Sequence, residues 1–116
     1  MKYVVAIIQP HMLDEVRIAL SEVGIVAITT SDVSGFGKQK GRTEIYRGAE
    51  YGTGMVSKAR IDVAVPDSLA GIAAEVIAQT ANTGAIGDGK IFAFDLLDAV
   101  RIRTGERGEE ALGQAA

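Results

Sequence analysis

Apolar residues recur along the chain with two different periods, and the alternation between them predicts the order of its elements. Tyr3 to Ile8 is an apolar, β-branched run closed by Pro10, the pattern of a buried strand. From Leu13 the apolar positions Leu13, Val16, Leu20 and Val23 follow helical spacing, and Gly24 supplies the stop. Ile25 to Val33 returns to strand character. Then comes "GRTEIYRGAEYGTGM", residues 41 to 55, a polar stretch with two tyrosines and four glycines and no sustained apolar period. Beyond it Arg60, Asp62 and Ala64 alternate with Ile61, Val63 and Val65, as in a strand with two unlike faces. Pro66, Asp67 and Ser68 open a second helix with Leu69, Ile72, Ala73 and Val76 on one stripe, ending near Gly84. Lys90 to Asp95 predicts a fourth strand. A short extended piece follows, Val100 and Ile102 alternating with Arg101 and Arg103, before a tail at 113–116 expected to fray.

The order strand, helix, strand, strand, helix, strand is the ferredoxin-like α+β arrangement, in which both helices cover one face of the sheet. Residues 1–112 are expected to form one domain. Both alternating sets of the first strand are apolar, Tyr3, Val5 and Ile7 as well as Val4, Ala6 and Ile8. The uncovered face would therefore present a contiguous apolar patch, which predicts a closed homo-oligomer. A long polar segment between the second and third strands of so small a domain points to a working part.

Composition narrows the chemistry. At 116 residues and 47% hydrophobic content the chain can bury one real core. The formal charge of −3 and pI near 5.1 argue against bulk attraction to nucleic acid or anionic membranes, so any anion site must be local. The sequence has no cysteine and a single histidine, His11, which argues against disulfide frameworks and against thiolate or histidine metal sites. The short apolar run at the start resembles no signal segment, and a cytoplasmic protein is the expectation.

Three clusters suit an anion. In "TGAIGDGKIF", residues 83–92, Gly84, Gly89 and Lys90 nearly meet the spacing of a P-loop, but Ile91 replaces the magnesium-binding hydroxyl and the segment leads into a strand where a P-loop leads into a helix. Its glycines still allow backbone amides to approach an anion; the alternative is a helix cap plus turn. Arg101 and Arg103, two residues apart, would project to one side of a strand, where an anion would relieve their repulsion. Asp95 or Asp98 could instead pair with them on a solvated face. "GFGKQKGR", residues 35–42, brings together three glycines with Lys38, Lys40 and Arg42, and is either an anion loop or a basic turn.

"GFGKQKGRTEIYRGAEY", "TGAIGDGKIF" and "VRIRTGE", in this order and at these intervals, resemble the PII nitrogen-regulatory signalling family, from Met1 to about Leu112. The resemblance implies a homotrimer of ferredoxin-like subunits with ATP and ADP competing for clefts between them. It also implies a long T-loop, here about 37–56, that docks on partner proteins. Carried over by position, Gly87, Asp88, Gly89 and Lys90, with Gly37 and Lys38, would meet the phosphates, and Arg101 and Arg103 would add cationic contacts. Thr29, Asp62 and Ala64, with Ile7 nearby, would surround the base and ribose. Gln39 matches the residue that holds magnesium together with ATP phosphates and 2-oxoglutarate. Lys58 matches the residue that pairs with the distal carboxylate of 2-oxoglutarate, and Lys40, Gly41 and Gly87 complete that subsite. Tyr51 matches a uridylylated tyrosine. Arg47 resembles the arginine that plugs an ammonium transporter pore, with Glu50 beside Tyr51 on the same partner-binding tip. Nitrogen-metabolism enzymes are the other implied partners, and the implied role is regulatory, not enzymatic.

The chain departs from the family pattern at Gln9, where a cation is usual, at Asp62, a shortened glutamate, at Lys38 for arginine, and at Ala85 for lysine. These bear on effector affinity and target choice. Lysine at 38 cannot reproduce a bidentate clamp. The alternatives are a PII-like sensor of another small anion, a nucleotide-hydrolysing enzyme using His11 or Asp88, and an RNA-binding module. Aromatic content of 5% and the acidic pI argue against the last.

Overall fold

The computed structural model describes residues 1–36 and 55–114. Its elements are β1 (Lys2–Ile8), α1 (Leu13–Glu22), β2 (Thr29–Phe36), β3 (Met55–Val65), α2 (Asp67–Ala81) and β4 (Gly89–Asp95), with short 3-10 turns at Pro10–Met12 and Gly108–Ala111. The strands form one sheet in the order β2, β3, β1, β4, every neighbour antiparallel. This is the ferredoxin-like α+β arrangement the periodicity predicts.

The core lies between one sheet face and the two helices. Val4, Ala6 and Ile8 of β1 and Ala59, Ile61, Val63 and Val65 of β3 alternate toward it and meet Val16 and Leu20 of α1 and Leu69, Ala73, Ile77 and Ala81 of α2. Fully burying one such large aliphatic side chain stabilises the fold by about 1.5–3 kcal/mol. The stripe on α2 differs from the expected one. Ile77 and Ala81 extend it at four-residue steps, Val76 packs at its margin, and Ile72 is turned outward, 45% exposed.

Helix α1 closes with a Schellman turn. Gly24 sits at φ 85°, its N–H donates to the Ser21 carbonyl, and the Ile25 N–H donates to the Leu20 carbonyl. That turn drives Ile25 into the core as a cap contact and delays β2, which begins at Thr29 and not at Ile25. The strand then runs past Val33 through Ser34 and Gly35, residues of poor strand propensity that pair with Ser57 and Val56. Its partner β3 likewise starts at Met55, so the connecting segment is 37–54 and residues 55–56 belong to the sheet. Because Ile8 pairs with Ala59, the Phe36 and Met55 end of this hairpin extends beyond β1.

Two further expectations change. Residues 100–103 are not a strand: Val100 makes an isolated bridge to Arg107, the Gly105 N–H donates to the Arg101 carbonyl, and Ile102, Arg103 and Thr104 form the turn between. The same-side argument for Arg101 and Arg103 therefore fails geometrically. Order also continues past 112. Leu112 is buried, and within the tail at 113–116 expected to fray the Gln114 side chain makes hydrogen bonds to the backbone of Val26, Ala27 and Ala64, while 115–116 lie outside the described residues.

The opposite sheet face carries Tyr3, Val5 and Ile7 flanked by Phe92 and Phe94, the two phenylalanines about half exposed. Tyr3 and Phe94 pack with ring centroids 5.7 Å apart. Leu97 and Ile102, in the segment beyond β4, are 93% and 99% exposed.

Candidate functional site

The segment joining α2 to β4 is folded by its own polar groups. The Asn82 carboxamide oxygen accepts from the Gly84 N–H at 2.8 Å. The Asp88 carboxylate accepts from the Thr83 hydroxyl at 2.5 Å and from the N–H groups of Thr83 and Gly84 at 2.7 and 2.9 Å. The Thr83 hydroxyl, and then these amides, hold the Asp88 carboxyl below the usual carboxylate range. Its side chain is thus spent organising the turn, while the Lys90 side chain is left exposed.

Glycine at 89 is required by contact. Its φ is 108°, and an added Cβ would fall 1.7 Å from the Ile7 carbonyl oxygen. The turn is thereby pressed against the end of β1. Gly87, at φ 103°, faces two side chains: a Cβ there would stand 3.3 Å from Gln9 Nε2 and 3.5 Å from Lys58 Nζ. The Lys58 ammonium donates to the Gly87 carbonyl. Lys58 lies on the stretch of β3 that runs past β1 toward residue 54, opposite Val33 of β2. Gln9, Lys58 and the glycine turn thus converge where the β2–β3 hairpin leaves the sheet.

A second cluster stands elsewhere. Asp62 pairs with Thr29 across the ladder, accepts from Arg60 Nε at 2.7 Å and Nη2 at 3.1 Å, and accepts from the Tyr3 hydroxyl at 2.6 Å. The Arg60 hydrogen bond is the main influence holding its carboxyl below the ordinary range, against partial burial. The Tyr3 phenol is pushed up by donating to that carboxylate. The Arg60 charge is answered locally, which leaves Lys58 and Lys90, among the described residues, as the cations beside the turn.

The candidate residues therefore separate into two groups. Gly87, Asp88, Gly89, Lys90 and Lys58 assemble at the turn, and Ile7 belongs with them, because it pairs with Arg60 and Lys90 and not with the Thr29 end. Thr29, Asp62 and Ala64 assemble at the β2 side. Lys58 of the first group and Asp62 of the second share β3 but stand four residues apart on it, about 13 Å at the ordinary rise of a strand. One chain does not bring the groups together. Arg101 is held by Glu106 at 2.6 Å and by the Glu110 carbonyl at 3.1 Å, not by Asp95 or Asp98, which pair with Lys2 and Arg107. Arg103 is exposed in its turn. Gly37, Lys38, Gln39, Lys40, Gly41, Arg47, Glu50 and Tyr51 lie outside the described residues. A cleft of about 220 Å³ also opens on the helix side of the turn, lined mainly by Ile8, Ile77, Ala81 and Ile91, with Asn82, Asp88 and Lys90 at its polar end.

Sequence reasoning missed three partners: Arg60 and Tyr3 on Asp62, and Gln114. Only the alternation of Arg60 and Asp62 on one strand face carried a signal for the first; nothing local marks the others.

The profile of the family described as "Nitrogen regulatory protein P-II" matches residues 1–106. The chain belongs to this family. Among P-II proteins, Nitrogen regulatory protein P-II 1 of Escherichia coli (strain K12) is 52% identical over 112 residues, which cover 97% of this chain and 100% of that protein. Nitrogen regulatory protein P-II of Rhizobium etli is 54% identical and that of Rhodospirillum rubrum 52%, over the same shares. These P-II relatives are named as regulatory proteins. Among the described residues no helix is long and apolar enough to cross a membrane, and no group of three or more His, Cys, Asp or Glu could hold a metal ion.

Proposed function

We propose that this P-II chain is a cytoplasmic signalling protein that binds ATP or ADP in clefts between the subunits of a homotrimer. With Mg-ATP bound, it also takes 2-oxoglutarate. Through residues 37–54 it regulates nitrogen-metabolism enzymes and an ammonium transporter. The observation that carries this reading is the Lys58 ammonium on the Gly87 carbonyl, which ties the phosphate-suited turn to the strand leading into 37–54.

The chemistry follows from charge. Amides of the glycine turn and the Lys90 ammonium suit polyphosphate oxygens. The Thr29, Asp62 and Ala64 group suits a base and ribose, and its distance from the turn within one chain fits a cleft completed by a neighbouring subunit. Apolar packing of the half-exposed Phe92 and Phe94 against their copies would bring the two groups together. A dicarboxylate beside a triphosphate needs cations. Gln39 offers one neutral oxygen, too little to hold magnesium alone, so the ion would come with the phosphates and neutralise charge between the two ligands. Lys58 would then exchange the Gly87 carbonyl for the distal carboxylate.

That exchange couples ligand to arm. A ligand biases residues 37–54 only through its differential affinity for their conformers, so ATP with 2-oxoglutarate selects one docking state and ADP another. Arg47, Glu50 and Tyr51 form the docking tip, and uridylylation of Tyr51 by a partner enzyme would block docking by added bulk and charge.

Native mass spectrometry tests the assembly. The expected spectrum is dominated by three chains carrying up to three adenine nucleotides. A monomer, or a trimer that takes none, would overturn the reading.

A further inference from the structure

Gln114 lies beyond the residue at which the family match ends, yet it is among the most completely bonded side chains described. Its carboxamide oxygen accepts from the Val26 and Ala27 N–H groups at 2.9 and 3.0 Å. Its Nε2 donates to the Ala27 and Ala64 carbonyls at 2.9 and 3.0 Å. Both lone pairs and both amide hydrogens of a carboxamide are thus used.

The location explains why the fit is so full. The β2–β3 ladder stops at the Thr29 and Asp62 pair. One pair of the same orientation further on, Ala27 would face Ala64, but the ladder ends before them. The carboxamide occupies that place as a surrogate peptide group, joining the Ala27 and Ala64 carbonyls across the gap. Gly113 supplies the left-handed φ of 76° that turns the chain toward Ala27.

The other end of the same stretch is tied to Arg101, which donates to the Glu110 carbonyl and to Glu106. Buried Leu112 fixes the middle. Residues 106–114 therefore form a strap from the Arg101 guanidinium to the Thr29, Asp62 and Ala64 corner. We infer that Gln114 is a positioning residue for nucleotide recognition, holding the base-side corner at a set spacing from Arg101. This rests on the nucleotide-binding reading given above. Neither glutamate nor asparagine can replace it: glutamate loses both donors and sets a carboxylate against two carbonyls, and asparagine is one methylene short.

The test compares Gln114→Ala with the unaltered chain in three measurements. ATP affinity is expected to fall about tenfold, the size of effect from losing a net hydrogen bond or two. Inorganic tripolyphosphate, which has no base, is expected to compete as well in the variant as in the parent. Amide exchange at Val26 and Ala27 is expected to quicken by about tenfold or more while core β1 amides are unchanged, which also certifies the fold. Unchanged ATP affinity, equal losses for ATP and tripolyphosphate, or unchanged exchange at Val26 and Ala27 would each overturn the inference. If the parent chain itself binds no ATP, the nucleotide-binding reading fails instead, so the two failures are told apart.

Discussion

Replacing Gly89 with alanine is expected to lower the midpoint of thermal unfolding by at least about 10 °C. Two costs add. The φ of 108° strains any residue with a Cβ, roughly 1–3 kcal/mol by itself. The new methyl would also fall 1.7 Å from the Ile7 carbonyl oxygen and 2.8 Å from its carbon, both backbone atoms of the strand that pairs with β3 and β4. β1 cannot yield, because β3 holds its far edge and the core holds Val4, Ala6 and Ile8. The start of β4 must peel away, and the ladder at Ile8 and Gly89 opens. Gly84→Ala is the control: φ is 84° but nothing lies within 4 Å of the added Cβ, so only the dihedral cost applies. Differential scanning calorimetry at matched concentrations separates them. A Gly89→Ala midpoint no lower than that of Gly84→Ala would show that the turn is not pressed on β1.

Exchanging Lys58 for methionine is expected to weaken 2-oxoglutarate binding in the presence of Mg-ATP by roughly a hundredfold, the scale of a lost charge-assisted hydrogen bond in a partly desolvated site. Methionine keeps the stem's apolar packing and removes only the cation. Gln9 makes the loss severe. Among the described residues it is the other side chain facing Gly87, and it is neutral, so it cannot take over the role of the lost ammonium. The released Gly87 carbonyl is only partly buried and can turn to water, so the fold should survive. ATP affinity without 2-oxoglutarate is expected to change less than about threefold, since Lys90 and the turn amides are untouched. Equal losses for both ligands would instead make Lys58 a brace for the whole turn.

The core was legible where period and burial agree. β1, α1 and the buried face of β3 follow from alternation and three-to-four spacing because the same residues that set the pattern fill the core. The errors have physical causes. Ile25 looks like the start of a strand, but an apolar residue after a helix-ending glycine also serves as the cap contact, and here the cap wins. Ser34 and Gly35 look like a break, yet they pair in a ladder fixed by the residues on either side. Arg101 and Arg103 alternate with apolar neighbours as a strand would, but Gly105 and Glu106 close a turn on Arg101 first. In the candidate site, the glycine turn and Lys90 were visible as a motif. The bonds that shape it, from Thr83 to Asp88 and from Lys58 to Gly87, join positions that no local period connects. Gln114 is the extreme case: its partners are 50 to 88 residues away.

The central claim is that the ligand pocket at Lys58 and Gly87 is completed by a bound nucleotide and in turn biases the segment beyond Met55. Isothermal titration of 2-oxoglutarate into the protein, with and without saturating Mg-ATP, addresses it most directly. Saturable heat only when Mg-ATP is present is the expected result. Equal heats in both conditions, or none in either, would contradict it.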